Sequence, residues 1–320
     1  MINSPLISII IVNWNAGQQL SGCLESIANA NLDGFNLERV VVVDNASTDG
    51  SLKGIVDLSL PLTIINNTEN CGFAAACNQG AKDSQSDYLL FLNPDTRLFK
   101  DSLIKPLAFM EQPENQKIGI TGIQLVDEDG QISRTCARFP TPAMFFSKML
   151  GLNILFPRQF PSHFMSEWDH GETRDVEQVM GAFFLIRRHL FEALNGFDEQ
   201  FFVYFEEVDL SYRANNAGWK TVYLADARAY HKGGGTSEQV KATRMFYSLR
   251  SRILYGYKHF DWFSATLLMA GTLFVEPISR LALAIWKRSG REAKETIKGY
   301  VMLWCALPKL FRSTLGGESQ

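Results

Sequence analysis

Four continuous apolar runs within the first hundred residues constrain the fold of this chain more than any other feature. They read LISIIIVNWN, RVVVVDNAS, LTIINN and DYLLFLNPD and begin at Leu6, Arg39, Leu62 and Asp87. The segments between them have helical length or character, such as GQQLSGCLESIANA and GFAAACNQGAKDS, where apolar residues recur at three- and four-residue spacing. Continuous rather than alternating apolar runs are typical of strands covered on both faces. The pattern therefore predicts an α/β fold with a mostly parallel central sheet built from right-handed βαβ units.

Each predicted strand ends in a polar segment, and in such sheets ligands bind beyond the carboxyl ends of the strands. The four segments read NWNAG, DNASTDGS, NNTENCGF and NPDT. Turns are also rich in Asn and Asp. A turn alone does not explain carboxylates at the tips of both the second and the fourth strand, Asp44 and Asp95. We therefore expect the two carboxylates to converge on one crevice.

Asp95 has two interpretations. In the first, Asn-Pro-Asp is a turn, and Asp95 caps the helix predicted from DSLIKPLAFM. In the second, its carboxylate holds a hard divalent cation that also binds substrate phosphates. The chain has no G-x-G-x-x-G after the first strand and no G-x-x-x-x-G-K-[ST] anywhere. A dinucleotide dehydrogenase or a P-loop enzyme is therefore disfavoured, and the phosphates of any nucleotide need another partner.

Acidic residues open the helix predicted from EEVDLSYRANNAGW, which follows a strand predicted from VMGAFFLIRR. Acids are favourable at a helix N-terminus, and Asp209 with Arg213 is an i,i+4 pair, so Glu206 and Asp209 are assigned mainly to that structural role. Glu207, beside the aromatic FFVYF, is the better candidate for a carboxylate whose pKa suits base catalysis.

His231 ends another predicted strand, TVYLADARAYH, directly before the loop KGGGTS. A lone histidine is more often structural than functional. The three glycines favour function here, because they allow the backbone to approach a phosphate closely and allow the loop to close.

Charge and cysteine content narrow the class of protein. The 320 residues are 46% hydrophobic, enough for one catalytic domain with an appendage, and the net charge of -3 gives no reason to expect nucleic acid. Five scattered cysteines without CxxC spacing indicate neither a disulfide framework nor a zinc site, and they favour a reducing cytosol. The N-terminus lacks a basic region and a cleavage site, so it is expected to be a first strand and not a signal peptide.

The ordered set SIIIVNWN, VVVVDNAST, NCGFAAACNQG, LLFLNPDT, GAFFLIRR, FFVYFEEVDLSYR and YHKGGGTS resembles the inverting GT-A glycosyltransferases of family 2. The likeness is strongest to their bacterial rhamnosyltransferase-like branch and covers roughly residues 5–260. The resemblance implies a GT-A nucleotide-sugar-binding fold. It also implies that Asp44 contacts the base or ribose of the donor, with Asn13 among the binding positions and the turn of Asn70, Gly72 and Phe73 nearby.

The resemblance also implies a metal and a base. Asp95 corresponds to the last acid of a metal-binding D-x-D motif whose first position is Asn93 here, and His231 matches a late histidine that contacts metal or diphosphate. The implied cation is Mg²⁺ or Mn²⁺. Glu207 falls where the family places its catalytic base, usually an Asp, and Asp209 is the alternative.

The implied reaction is a single displacement at the anomeric carbon of the donor sugar. The base takes the proton of an acceptor hydroxyl, and the metal neutralises charge on the departing nucleoside diphosphate. Arg134 and Arg138, in SRTCARFPT, are further candidates for the diphosphate, although solvated surface arginines explain them equally well.

The C-terminal part of the chain is apolar and basic. The apolar segment 262–286 is interrupted by Glu276, Pro277 and Arg280, so its uninterrupted run is shorter than the ~20 residues of a spanning helix. One interpretation is an amphipathic helix packed on the catalytic domain. Residues 241–312 carry thirteen Lys or Arg and four Asp or Glu, a local net charge of +9, which favours instead a monotopic contact with an anionic membrane surface.

We therefore expect a catalytic domain over residues 1–240 and a helical, membrane-associating region over 241–320. The expected activity is metal-dependent transfer of rhamnose from dTDP-rhamnose to a polyprenyl-diphosphate-linked glycan, as in O-antigen biosynthesis, at the cytoplasmic face of a bacterial inner membrane. One alternative is a family 2 transferase that uses another UDP- or GDP-sugar. The other is a non-catalytic scaffold or glycan-binding subunit, which would have no reason to carry Asp44, Asp95, Glu207 and His231 together.

Overall fold

A computed structural model describes residues 4–55, 58–233 and 241–315. Its contacts divide the chain into two compact units, named here the sheet unit and the helical unit. The sheet unit comprises Met1–Phe139, Phe164–Glu199 and Glu206–Thr236, and the helical unit comprises Pro140–His163, Gln200–Phe205 and Ser237–Gln320. The expected domain boundary at residue 240 stays a prediction.

The strands of the described residues all belong to the sheet unit. They are β1 (Leu6–Asn13), β2 (Asn36–Asp44), β3 (Leu62–Asn66), β4 (Tyr88–Leu92), β5 (Thr96–Leu98), β6 (Ile118–Val126), β7 (Cys136–Ala137), β8 (Arg174–Val176), β9 (Gln178–Val179), β10 (Phe183–Arg187) and β11 (Lys220–His231). The four N-terminal strands coincide with the four apolar runs, so those predictions are confirmed.

The main sheet has nine strands within the described residues, in the order β3-β2-β1-β4-β10-β6-β11-β5, with β8 paired to β11. The pairs β1–β2, β2–β3, β1–β4 and β6–β11 are parallel. β10 is antiparallel to both of its neighbours, and β5 and β8 are antiparallel to β11. β7 and β9 form a separate two-stranded sheet. The α/β class is therefore confirmed, with a mixed sheet whose N-terminal half is parallel.

The helices predicted from GQQLSGCLESIANA, GFAAACNQGAKDS, DSLIKPLAFM and EEVDLSYRANNAGW are all present. In the sheet unit they are α1 (Gln18–Ala28), α2 (Phe73–Ala81), α3 (Ile104–Glu111), α6 (Arg188–Ala193) and α7 (Glu206–Asn216), and in the helical unit they are α4 (Pro142–Met149), α5 (Leu152–Leu155), α8 (Lys241–His259), α9 (Trp262–Ala270), α10 (Glu276–Trp286) and α11 (Gly290–Leu315). Short 3-10 turns cover Ser51–Gly54 and Pro113–Asn115, and a π-helical turn, Gly271–Val275, joins α9 to α10.

Both faces of the sheet are covered, which explains why its strands are continuously apolar. Along β1, Ile9 and Ile11 join a core with α1 and α3, whereas Ile10 and Val12 join a second core with α2, α6 and α7. Alternate side chains of a strand point to opposite faces, so in a strand that is covered on both faces the side chains at consecutive positions are buried and mostly apolar. α2 lies very close to the sheet, because a Cβ added to Gly80 would meet the Ile10 side chain at 2.6 Å.

The helical unit buries the carboxylate that interrupts its most apolar segment. Among the described residues, one helix is long and apolar enough to cross a membrane, Trp262–Trp286, with a mean hydropathy of 1.5 and 28% of its most apolar window buried. Glu276, which interrupts that segment, is buried and paired with Arg252 of α8 and Arg280 of α10. The Arg280 side chain is 38% exposed, so the exposed surface of the segment is mainly but not wholly apolar.

Candidate active site

The strand tips of the parallel half of the sheet lie side by side. The register pairs Asn13 with Asp44 and Asp44 with Asn66, so the polar ends of β1, β2 and β3 form one row. Parallel strands in register necessarily end at the same edge, which is where ligands bind in open α/β sheets. The sequence-predicted residues Asn13 and Asp44 are therefore brought together.

Asp44 is a buried carboxylate held in a fixed orientation. Its Oδ1 accepts a hydrogen bond of 2.6 Å from Asn13 Nδ2, and its Oδ2 accepts one of 3.1 Å from the backbone N–H of Ser47. The Asn13 amide also donates to the hydroxyls of Ser47 and Ser51, at 3.0 and 2.8 Å. Because a carboxylate offers about four lone-pair sites, Asp44 retains capacity for the N–H or O–H groups of a ligand.

Asn13 carries a polar atom that its surroundings leave unused. Its Oδ1 is buried and has no hydrogen-bond partner in the described part of the chain. Such an orphaned acceptor costs about 1–3 kcal/mol. Unpaired buried polar atoms often mark a function, so Asn13 stays a candidate for binding the donor together with Asp44.

The turn before α2 is tied to the tip of β2. The Gly72 N–H donates to Asn70 Oδ1 at 2.9 Å, and the Gly72 carbonyl accepts from Asn45 Nδ2 at 3.0 Å. Gly72 has φ of +92°, a conformation that favours glycine. The turn of Asn70, Gly72 and Phe73 therefore lies next to the tip that carries Asp44, as expected.

Asp95 and His231 meet although 136 positions separate them. β5 runs antiparallel to β11 and pairs Thr96 with His231, so the residue before Thr96 reaches the histidine. Asp95 Oδ1 lies 3.3 Å from His231 Nε2, and the two side chains are 11% and 9% exposed. Helix α3 begins after Leu103, whose position takes no side-chain cap, so capping does not account for Asp95.

Backbone hydrogen bonds hold both ends of the loop 93–96, which carries Asp95. The Thr96 N–H donates to the Asn93 carbonyl at 3.1 Å, and the Asn93 N–H donates to the Ala182 carbonyl at 3.1 Å. Beneath the loop, burial raises the pKa of the Cys23 thiol, and the nearby Asp95 carboxylate raises it further. Cys23 therefore stays a neutral thiol that packs against the loop.

The residues present fit a hard divalent cation in part. Among the described residues, no group of three or more His, Cys, Asp or Glu side chains is arranged to hold a metal. Asp95 and His231 offer one carboxylate and one imidazole on adjoining backbone segments. Mg²⁺ is commonly held by one or two carboxylates with substrate phosphates completing the shell. The chain therefore supplies an incomplete site that a diphosphate would complete.

Glu206 and Glu207 form a pair of crowded carboxyls in the first turn of α7. Glu206 is buried and Glu207 is half-buried, and the Oε2 atom of each has no hydrogen-bond partner in the described residues. Burial raises the pKa of both carboxyls, and repulsion from Glu207 raises the pKa of Glu206 further. Glu206 lies in the first turn of α7, as its acidic character predicts, but its burial beside Glu207 is not evident from the sequence pattern.

Glu207 adjoins the strand that supports the Asp95 loop. A Cβ added to Gly181 would lie 3.9 Å from Glu207 Cγ, and the neighbouring Ala182 accepts the hydrogen bond of Asn93. The small residues Gly181 and Ala182 before β10 are the signal that could have located this contact. Through them, Glu207 and the metal-site candidates share one end of β10.

Asp209 is occupied by a structural ion pair. Its buried carboxylate accepts from Arg213 Nε at 2.7 Å, and the same guanidinium donates to the carbonyls of Leu194 and Gly196. These bonds join α7 to the end of α6, which matches the structural interpretation of the i,i+4 pair. Asp209 as an alternative base stays a prediction.

The remaining predicted residues lie elsewhere or outside the described part. Arg134 is exposed and donates to the carbonyl of Ser166, and Arg138 pairs with Glu167. These contacts do not involve the strand-tip residues, so a diphosphate role for Arg134 stays a prediction. Of the glycine loop, Gly233 is described, and residues 234–240 lie outside the described residues.

A cavity of about 670 Å³ does not coincide with this site. It runs along α2 towards α6, and its lining includes Asn78, Gln79, Glu192 and Asn195. Asn67, beside the tip of β3, also lines it. The candidate active site is therefore identified by the convergence of polar strand tips and not by cavity volume.

Comparison with known proteins shows what this chain is similar to. The family model described as Glycosyl transferase family 2 matches residues 8–194. The N-acetylglucosaminyl-diphospho-decaprenol L-rhamnosyltransferase of Mycobacterium tuberculosis is 25% identical over 278 residues, which are 82% of this chain and 88% of that protein. Rhamnosyltransferase WbbL of Escherichia coli is 29% identical over 153 residues, 47% of this chain and 54% of that protein.

Two solved structures share the fold over most of the chain. The mannosyltransferase PcManGT from Pyrobaculum calidifontis, in complex with GDP-Man and Mn²⁺, has a TM-score of 0.52 at 17% identity and covers 95% of this chain and 87% of that one. Staphylococcus aureus TarS 1–349, in complex with UDP-GlcNAc, has a TM-score of 0.53 at 15% identity and covers 96% of this chain and 81% of that one. At these identities the likeness concerns the fold alone.

Proposed function

Because the chain belongs to glycosyl transferase family 2 and has its GT-A fold, we propose that it transfers rhamnose from dTDP-rhamnose to a polyprenyl-diphosphate-linked glycan in cell-surface polysaccharide synthesis of the O-antigen type. The sugar and the acceptor are proposed from relatives whose names specify a rhamnosyltransferase and, in one case, a diphospho-decaprenol acceptor. The observation that carries an enzyme, rather than a binding subunit, is Glu207. Its carboxyl has a raised pKa and an unpaired oxygen beside the strand that holds the Asp95 loop.

In this proposal the donor lies over the row of strand tips. Asp44 accepts an N–H or O–H group of the base or ribose with the lone pairs that Asn13 and Ser47 leave free. The fixed orientation of Asp44 means that little side-chain entropy is lost on binding. The turn of Asn70, Gly72 and Phe73 borders the same position.

Glu207 acts as the general base. Its carboxylate takes the proton of the acceptor hydroxyl while that oxygen bonds to the anomeric carbon from the face opposite the leaving group. The bond from the anomeric carbon to the diphosphate oxygen breaks, and the nucleoside diphosphate leaves with the bonding electron pair, which inverts the anomeric configuration. Burial raises the pKa of the Glu207 carboxyl, which makes its carboxylate a stronger base than that of an exposed Glu.

Asp95 and His231 are the residues that would hold Mg²⁺ or Mn²⁺. A divalent cation at that position, when bound, supplies positive charge to the departing diphosphate. The 3.3 Å contact with His231 orients the Asp95 carboxylate, and the two anchored ends of the loop limit its movement. The Asp95 carboxylate is therefore already oriented before the donor binds.

The helical unit supports a monotopic contact with the cytoplasmic face of a bacterial inner membrane. Its exposed apolar side chains include Trp262, Phe263, Ile278, Ile285 and Trp286, which are between 66% and 80% exposed. Contiguous exposed apolar surface is typical of membrane or protein contact sites. The local charge of +9 adds attraction to anionic lipids.

The decisive experiment supplies dTDP-rhamnose, UDP-sugars and GDP-sugars separately with a polyprenyl-diphosphate-GlcNAc acceptor, with and without Mn²⁺ or Mg²⁺. We expect metal-dependent transfer from dTDP-rhamnose alone. Transfer from another donor would keep the mechanism and discard rhamnose. Absence of transfer from every donor, with the fold intact by circular dichroism, would favour the scaffold alternative.

A further inference from the structure

A group of charged residues inside the helical unit contains more positive than negative charge. Arg252 of α8 is buried, and one of its terminal nitrogens bonds Glu276 and the Thr272 hydroxyl, the latter at 2.8 Å. Arg280 bonds the other oxygen of Glu276, with Nε at 2.9 Å. The two guanidiniums share a single carboxylate. The Nε of Arg252 is buried and has no hydrogen-bond partner among the described residues.

Helix α4 adds a third cation to this group. The Arg252 guanidinium lies 5.6 Å from the centre of the Phe145 ring, and the His163 ring lies 6.4 Å from the same ring. Lys148 follows Phe145 by three positions, so both are on one face of α4. Lys148 is exposed and within electrostatic range of Arg252, Glu276 and Arg280.

The group of Lys148, Arg252, Arg280 and Glu276 is called the cationic cluster from here on. It has three positive charges and one negative charge, a net +2 while His163 is neutral. Burial, followed by the positive charges of Lys148 and Arg252, lowers the pKa of His163 to about 4. The ring therefore stays neutral at pH 7, and a positive potential remains for an anion.

Exposed apolar side chains lie near the cluster residues in the chain. Leu150 and Ile154, just after Lys148 in the chain, are 60% and 75% exposed, and Ile278 of α10 is 69% exposed. A small soluble anion would make no favourable contact with apolar surface. A ligand with an anionic head and a hydrocarbon chain matches both features.

We propose that the cationic cluster binds the diphosphate group of a polyprenyl carrier, with the hydrocarbon chain against the neighbouring apolar surface. Lys148 supplies an exposed donor, Arg280 supplies a half-buried one, and Arg252 supplies a buried positive charge. The identity of the carrier as the acceptor rests on the proposed function. The presence of a site for a lipid diphosphate is argued from the cluster and does not rest on the proposed function.

The test measures binding without any sugar donor. The full chain is mixed with three kinds of phosphatidylcholine vesicle. The first contains no anionic lipid, the second contains a few per cent undecaprenyl diphosphate, and the third contains phosphatidylglycerol of equal total charge. Vesicle-bound protein is then separated by flotation. Lys148→Gln removes one cation at an exposed position, and Lys294→Gln, at an exposed position of α11, is the matched control. Inorganic pyrophosphate is titrated separately, with the His163 ring followed by NMR.

We expect wild-type protein to prefer the diphosphate vesicles over both others. Lys148→Gln should weaken that binding roughly tenfold, the loss expected for one charge-assisted hydrogen bond, whereas Lys294→Gln should change it less than about twofold. Pyrophosphate should raise the pKa of His163, because an anion offsets the neighbouring cations.

Equal losses in both variants would show general charge attraction and overturn the proposal. Equal binding to phosphatidylglycerol would do the same, since the site would then recognise any anionic lipid. Tight pyrophosphate binding without preference for the lipid would reassign the site to a soluble anion. Failure of sugar transfer with intact Lys148-dependent binding would refute the proposed function and leave this site standing.

Discussion

Replacing Glu207 by Gln tests the central step of the proposed reaction. The substitution keeps the size and removes the base. General base catalysis contributes roughly 10²–10⁴ in rate, so transfer should fall by that factor, equivalent to about 3–5 kcal/mol of barrier. The partner substitution Glu206→Gln changes the adjacent carboxyl in the same turn and should leave transfer within about fivefold.

The assay is single-turnover transfer from the nucleotide-sugar to a lipid-linked acceptor between pH 5 and 9. Because burial raises the pKa of Glu207 above its ordinary value of 4.5, the wild-type rate should decline as acid protonates the base, at a higher pH than for an exposed Glu. Glu207→Gln should lose this limb together with its activity. Donor binding, which Asp44 governs, should be unchanged in both variants.

Two results would refute the reasoning. If Glu207→Gln kept activity within about threefold of wild type, Glu207 would not be the base. If Glu206→Gln lost as much as Glu207→Gln while remaining folded, the chemistry would belong to the pair or to Glu206. A loss in Asp209→Asn that exceeds the change in folded fraction would revive Asp209 as the base.

Three further predictions concern metal binding and stability. Asp95→Asn should lower transfer at least a hundredfold and abolish its stimulation by Mn²⁺. His231→Gln should raise the Mn²⁺ concentration needed for half-maximal rate. An unchanged response to Mn²⁺ in both variants would exclude this metal site. Asp209→Asn should lower the free energy of unfolding by about 3 kcal/mol, measured by urea denaturation, because Arg213 loses its buried partner; a change below about 1 kcal/mol would contradict a structural role. Glu206 has a folded-state pKa above its unfolded value, so the folded state binds more protons, and stability should fall as pH rises from the unfolded value through the folded one. Glu206→Gln should reduce this decline, with Glu207 causing the remainder, and should raise the melting temperature at pH 8. An unaltered profile would contradict a raised pKa of Glu206 in the folded state.

The sequence alone predicted the local elements and the edge of the sheet where the site lies. Continuous apolar runs specify strands buried on both faces, and the polar segments after them specify tips such as Asp44 and Asp95. Family membership, predicted from the order of the motifs, is confirmed by the family model over residues 8–194. The strands and their polar tips are local features, and each is encoded by a short stretch of chain.

The tertiary structure decided which distant segments meet. Strand pairing brings His231 to Asp95, and the insertion of β10 between β4 and β6 places Gly181 against Glu207. Hydrophobic periodicity states which face of an element is buried but not which element covers it, so periodicity alone does not specify these contacts. The burial of Glu206 depends on the same packing.

The C-terminal charges show the same division. From the sequence, Glu276, Pro277 and Arg280 interrupt an apolar segment and argue against a helix that spans a membrane. In the folded chain Glu276 is buried and pairs with Arg252, whereas the Arg280 side chain is 38% exposed. Composition determined how much charge the segment carries. Only packing decided which way that charge faces, because a buried ion must be paired and its partner lies on another helix.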